Sequence, residues 1–233
     1  MLILLSGASG TGKNTIINFL MKDFEEMKGK QIEDVKYIIS TTTRKMRVED
    51  NECEGNPYHF ISKEEFEKQI AEGKFFEWNK VHGDLLYGVP NESVEIAQNK
   101  NVVVIKDLDV EGHRAYKEKL KDSGIDVFSI FLALSKEELT KRLKARGEDD
   151  ESIALRLSRL EYENSFAKEY DFIVQNTNSK ITSRLIEYKV LDIMNNSKER
   201  LEDKELTLDD LPKEEQEENI DSNNSTQTEG KQM

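Results

Sequence analysis

The stretch Leu2–Thr15 limits what this chain can fold into more than any other. Leu2-Ile3-Leu4-Leu5 is a short apolar run that reads as a buried strand, and it feeds Ser6-Gly7-Ala8-Ser9-Gly10-Thr11-Gly12-Lys13-Asn14-Thr15. A helical pattern follows at once. The spacing from Gly7 to Gly12 and Lys13 is G-x-x-x-x-G-K, with Asn14 where the motif has Ser or Thr. Glycines at 7, 10 and 12 open backbone conformations in which successive N–H groups turn inward around phosphate oxygens. The helix N-terminus adds partial positive charge and Lys13 a full one. A strand, a phosphate-binding loop and a helix in this order predict an α/β fold with a parallel sheet and the loop at its front.

The 233 residues suffice for one substantial domain or two small ones, and 36% hydrophobic content suits a globular core. Apolar runs such as Val102–Ile105 fall far short of the ~20 residues that span a bilayer, and no signal peptide is read before the first strand. The expectation is therefore a cytoplasmic protein with no membrane partner. Cys53 alone makes neither a disulfide nor a cysteine zinc site within these residues, and His59, His82 and His113 are too scattered to mark a metal cluster. The net charge of −13 argues against nucleic acid as a partner, which would require a basic stripe. Twelve acidic and five basic residues from Asn195 to Met233 supply −7 of it. That segment, 195–233, reads as an acidic, disordered tail with a short helix conceivable at Leu201–Leu211; binding an unknown partner is the sharper alternative to simple solvation.

Taken in order, apolar residues from Ile16 to Met27 predict a helix over Lys13–Met27. Tyr37–Ser40 reads as the second strand and delivers Thr41-Thr42-Thr43-Arg44-Lys45-Met46-Arg47 at its carboxyl end, where open α/β sheets bind ligands. Val48–Pro57 reads as a loop and Tyr58–Ile61 as a strand. Ser62-Lys63-Glu64-Glu65 fits a capping box that starts a helix towards Gly73. Phe75–Trp78 and Lys80–His82 read as strand, with turns at Gly83-Asp84 and Tyr87-Gly88. Alternation then resumes: helix Asn91–Gln98, strand Val102–Ile105 ending in Lys106-Asp107-Leu108-Asp109, helix Glu111–Lys121 and strand Val127–Leu132. A second capping box at Ser135 opens a helix that ends at Arg146-Gly147, and a charged segment leads to strand Phe172–Val174 and helix Lys180–Met194.

With these motifs placed, the chain resembles the guanylate kinases, P-loop enzymes that phosphorylate GMP from ATP. The resemblance covers residues 1 to about 194. Four blocks carry it: Gly7–Lys13; Ser40–Arg44 with Arg47; Phe76-Glu77-Trp78 followed by Tyr87-Gly88; and Asp107-Leu108-Asp109 with Gly112. Arg146-Gly147 and Arg156 extend it. It implies a three-layer α/β/α core, a small strand-rich GMP-binding insertion at about 41–90 and a helical lid at about 146–166.

The resemblance also implies roles. Gly7, Ala8, Ser9, Gly10, Thr11, Gly12, Lys13, Asn14 and Thr15 would hold ATP, with Asn176 near its adenine. Ser40, Arg44, Arg47, Tyr58 and Tyr87 would bind the acceptor phosphate, a role that suits forked guanidinium donors and phenolic hydroxyls. Glu77, helped by Asp109, would accept from guanine N1–H and N2–H, which adenine lacks. Lys13, Arg44, Arg146 and Arg156 would neutralise charge on the transferring group, while Asp107 would hold the acceptor nucleotide or, through water, Mg²⁺. Asn14 would ligate Mg²⁺ through its amide oxygen; Arg142 is a weaker candidate cation.

Two departures stand out: Val89 occupies a position where the family usually has a hydroxyl that contacts guanine, and Lys106 one where it has an apolar strand residue. The reading implied is Mg²⁺-assisted transfer from ATP to GMP and dGMP by a monomer or homodimer. A catalytically silent protein-binding module of this fold and a kinase for another phosphorylated acceptor remain as alternatives.

Overall fold

The computed structural model describes residues 1–195 except His82; the acidic tail and its short helix lie outside the described residues. Strand β1 (Leu2–Ser6) is buried along its whole length, with Leu2 and Leu4 facing one side of the sheet and Ile3 and Leu5 the other. A strand apolar on both faces must be covered on both, and that makes it the centre of a parallel sheet. The order is β2-β7-β1-β8-β9, all parallel, where β2 is Asp34–Tyr37, β7 Val102–Asp107, β8 Val127–Ala133 and β9 Phe172–Gln175.

Helices α1 (Lys13–Met27) and α7 (Ser179–Asn195) cover one face through Ile16, Leu20, Phe24, Ile186 and Val190. On the opposite face, Val94 of α3 (Asn91–Glu95) and Tyr116 and Leu120 of α4 (Val110–Leu120) pack on Leu2, Leu4, Val102 and Val104. The expected three-layer core is therefore present. All three chain ends of β1, β7 and β9 that face the same way carry residues of interest: Gly7, Asp107 and Asn176.

The second sheet, ordered β4-β3-β6-β5, is built from β3 (Thr41–Thr42), β4 (His59–Phe60), β5 (Phe75–Val81) and β6 (Leu85–Pro90), with α2 (Lys63–Ala71) between β4 and β5. Ser62 caps α2 by accepting from the Glu65 N–H at 3.1 Å, and Ser135 does the same for α5 (Lys136–Ala145) from Glu138 at 3.2 Å. Such caps contribute about 1 kcal/mol each. Asp149 caps α6 (Asp150–Asn164), the helix into which the charged segment folds.

Two expectations need correction. The second strand is Asp34–Tyr37, not Tyr37–Ser40. It is an edge strand, and its polar residues are tolerated there because Asp34 pairs with Lys28 at 2.7 Å and Lys36 at 2.8 Å; the apolar Ile38 is buried just after the strand. Tyr87-Gly88 is not a turn but the middle of β6, opposite Thr42 and Thr41. Gly88 is there for closeness: a Cβ would lie 2.8 Å from the Phe75 ring and 3.0 Å from that of Phe66, which themselves stack at 4.3 Å.

Candidate active site

The loop between β1 and α1 has Gly7, Gly10 and Gly12 at φ of +146°, +94° and +98°, conformations that side-chain-bearing residues rarely adopt. Space excludes side chains as well. A Cβ at Gly7 would lie 2.6 Å from the Leu132 carbonyl, and one at Gly12 2.6 Å from Asn176 Nδ2. Thr11, fully buried, closes the loop on itself by donating from its hydroxyl to the Ala8 carbonyl at 2.8 Å.

Lys13 curls back over this loop and donates to the carbonyls of Gly7 at 2.5 Å and Ala8 at 3.3 Å. Burial pushes its pKa down, while Glu163, Asp107 and Asp109 pull in the opposite direction. Asn14 and Thr15 are exposed on the first turn of α1. Arg156 of α6 spans the gap to the loop: its guanidinium donates to Ser9 Oγ at 2.5 Å and to Glu148 at 2.6 Å. Arg146, at the end of α5, is exposed and makes no side-chain hydrogen bond among the described residues.

Arg142 and Asn176 brace the loop from behind. Arg142 donates to the Asn176 carbonyl at 2.6 Å and the Thr11 carbonyl at 3.4 Å, and is itself held by Glu138 at 3.0 Å. Asn176 is fully buried; its Nδ2 donates to Thr11 at 2.6 Å and its Oδ1 has no partner among the described residues.

Asp107 ends β7 beside β1, opposite Leu5. Its Oδ1 accepts from the Tyr37 hydroxyl at 2.6 Å and lies 3.4 Å from Lys106 Nζ. Burial pushes its carboxyl up, but Lys106, Tyr37 and Lys13 together outweigh that and hold it below the usual range. Its negative charge also acts on Tyr58, whose hydroxyl is pushed up chiefly by burial.

Across from Asp107, Arg44 is gathered with aromatic residues of the second sheet. Its guanidinium lies 5.5 Å from the centroids of both Tyr58 and Phe60, and Tyr58 meets Tyr87 edge-on at 5.5 Å. Glu52 accepts from Arg44 at 2.7 Å and from the Arg47 backbone N–H at 2.8 Å, so one carboxylate joins the two arginines. Those two bonds hold its pKa below the usual carboxylate range. Arg47 itself is exposed, and Ser40, just before β3, is half-buried.

Glu77 projects from β5, with burial pushing its pKa up against the pull of Tyr116, Lys106 and Lys119. Asp109 is the N-cap of α4, accepting the Gly112 N–H at 2.8 Å with Oδ1, which leaves Oδ2 for other partners. Sequence reasoning missed Glu52, Tyr37 and Glu163. Glu163 is a carboxylate of α6, 8% exposed, whose pKa burial raises and whose charge acts on Lys13. The spacing from Arg44 to Glu52 follows no helix or strand period, and Tyr37 looked like a strand residue only.

The chain is similar to known guanylate kinases. The guanylate kinase family model matches residues 1–205. The guanylate kinase of Wolinella succinogenes is 38% identical over 186 residues, covering 79% of this chain and 80% of the relative. That of Clostridium perfringens is 37% identical over 188 residues, with 80% and 81% covered. The crystal structure of guanylate kinase from Anaplasma phagocytophilum aligns with a TM-score of 0.56 at 25% identity, covering 87% of this chain and 97% of that one.

Proposed function

The chain belongs to the guanylate kinase family, and from that premise we propose that it transfers the terminal phosphoryl group of ATP to GMP, and to dGMP, with Mg²⁺ bound alongside. The observation that carries this reading is a glycine loop with Lys13 folded over it in the same fold as a second cluster in which Arg44, Tyr58 and Tyr87 gather.

The residues fit their ligands. Three glycines without room for Cβ form a cradle for phosphate oxygens, and Lys13 can exchange two loop carbonyls for a phosphate. The buried, unpartnered Oδ1 of Asn176 suits an exocyclic amino group such as that of adenine. Mg²⁺ takes few protein ligands beside phosphate and water; the Asn14 amide would supply one oxygen and the Asp107 carboxylate would hold the ion through water. The ion would supply positive charge to neutralise the phosphates.

The chain's own part is positioning and charge. Arg44, Arg47, Tyr58, Tyr87 and Ser40 orient the acceptor phosphate, and Glu77 with Asp109 Oδ2 accepts from guanine N1–H and N2–H. Arg156, already on Ser9, and Arg146 at the same end of the lid supply cations over the transferring group. Segment 41–90 serves as the acceptor domain and 146–166 as the lid that excludes water.

A coupled ADP-release assay across GMP, dGMP, AMP, CMP and UMP tests the reading. Turnover with GMP and dGMP alone is expected; no GMP-dependent ADP release at saturating Mg²⁺ would sink it.

A further inference from the structure

Lys106 breaks an otherwise apolar strand. It follows Val102-Val103-Val104-Ile105 on β7, pairs with Leu4 of β1 and is 8% exposed. Strand alternation puts it on the side of Val102 and Val104, the side that packs Tyr116 and Val89. Taking an ammonium out of water is unfavourable unless charges and acceptors repay it.

Its hydrogen bonding is incomplete. Among the described residues its one acceptor is Asp107 Oδ1, at a long 3.4 Å, and that oxygen already takes the Tyr37 hydroxyl at 2.6 Å. An ammonium has three N–H donors, so Lys106 has donors to spare in a nearly dry place. Lys106 reaches Asp107 on its own strand, and Glu77 of β5 feels the charge of Lys106 together with Tyr116, Lys119 and Asp109 at or on α4. Lys119 is exposed and donates to the Phe76 carbonyl at 2.7 Å, so Lys106 is the buried one of the two lysines whose charge acts on Glu77.

A second observation points the same way. Val89 is the cross-strand partner of Glu77 and is 2% exposed within the apolar cluster. The strand beside Glu77 therefore offers no side-chain donor at Val89, and Lys106 on β7 is the buried donor on the side of the sheet that packs Val89.

We propose that Lys106 is a specificity-determining residue of the acceptor pocket, donating a hydrogen bond to the 6-carbonyl oxygen of the guanine whose N1–H and 2-amino group Glu77 accepts. This rests on the guanylate reading above. Adenine presents an amino group in place of that carbonyl and would point hydrogens at the ammonium, so Lys106 and Glu77 reject it from two sides.

The test is steady-state kinetics with GMP and its 6-thio analogue, whose sulfur is a poorer acceptor, on wild type, Lys106→Met and the double variant Lys106→Met/Val89→Thr. Lys106→Met is expected to raise KM for GMP about tenfold or more, the loss of one bond to a charged donor, with kcat within about twofold. Its preference for GMP over 6-thio-GMP should collapse, and Val89→Thr should recover part of the KM. Met suits the apolar strand, so the unfolding midpoint should equal or exceed that of wild type; if Lys106→Met does not fold, Lys106→Leu, which also lacks a donor, carries the test under the same criteria. A KM unchanged within about twofold, or a raised KM with the carbonyl preference intact, would overturn the role of Lys106 alone. Wild type that turns over no GMP would overturn the acceptor reading on which it rests.

Discussion

Asn176 donates from its side chain to the carbonyl of Thr11 at 2.6 Å, across 165 residues of sequence. The bond ties the end of β9 to the phosphate loop after β1, and the Arg142 guanidinium grips both backbones. The loop backbone is thereby held by two residues outside it, which on the proposed function pre-organises it for phosphate.

Asn176→Ala should therefore loosen the loop without abolishing it, since Arg142 still reaches Thr11. We expect a stability loss of about 0.5–1.5 kcal/mol from the lost hydrogen bond, together with a rise in KM for ATP. Urea unfolding and ATP titration at saturating GMP would measure both.

Lys13→Ala removes a charge that the fold does not need for packing. The expected loss in kcat is about 10²- to 10³-fold, the scale of a removed electrostatic stabiliser. The unfolding midpoint should hardly move, because desolvating Lys13 already costs the folded state.

Glu52 fixes Arg44 through its guanidinium and Arg47 through its backbone N–H. Replacing it by Gln removes a charge-assisted bond and frees the Arg44 fork. KM for GMP should rise about tenfold, while KM for ATP stays near wild type. A change of equal size in both constants would count against a role confined to the acceptor side.

His113 is 1% exposed, stacked on Tyr170 at 3.9 Å, and burial pushes its pKa from 6.5 to about 4. The fold keeps the ring neutral. The unfolded chain takes up a proton between those values, so this contribution is complete above pH 6.5 and is lost as the pH falls towards 4. The loss should reach about 3 kcal/mol. His113→Phe keeps the stacking and should flatten the unfolding midpoint over that pH window relative to wild type.

Local chemistry made much of this legible. The loop glycines sit at positive φ because the motif needs inward-facing N–H groups, and Ser62 and Ser135 cap their helices as the S-x-x-E pattern predicts. Runs of Val and Leu mark the buried strands because both faces of a parallel sheet are covered. What stayed illegible depended on neighbours distant in sequence. The strand at Asp34–Tyr37 is decided by pairing with β7 and by the lysines that neutralise Asp34, and Gly88 by the rings of Phe66 and Phe75 above it.

The sequence by itself determined a glycine-rich loop on a parallel α/β sheet and the caps that start its helices. Those properties follow from residues within a few positions of one another. Only the tertiary structure decided that Glu52 joins Arg44 to Arg47, that Arg142 and Asn176 brace the loop, and that Lys106 lies buried near Glu77. A hydrogen bond or an ion pair depends on distance in space, and the fold alone brings strand ends from opposite parts of the chain within that reach.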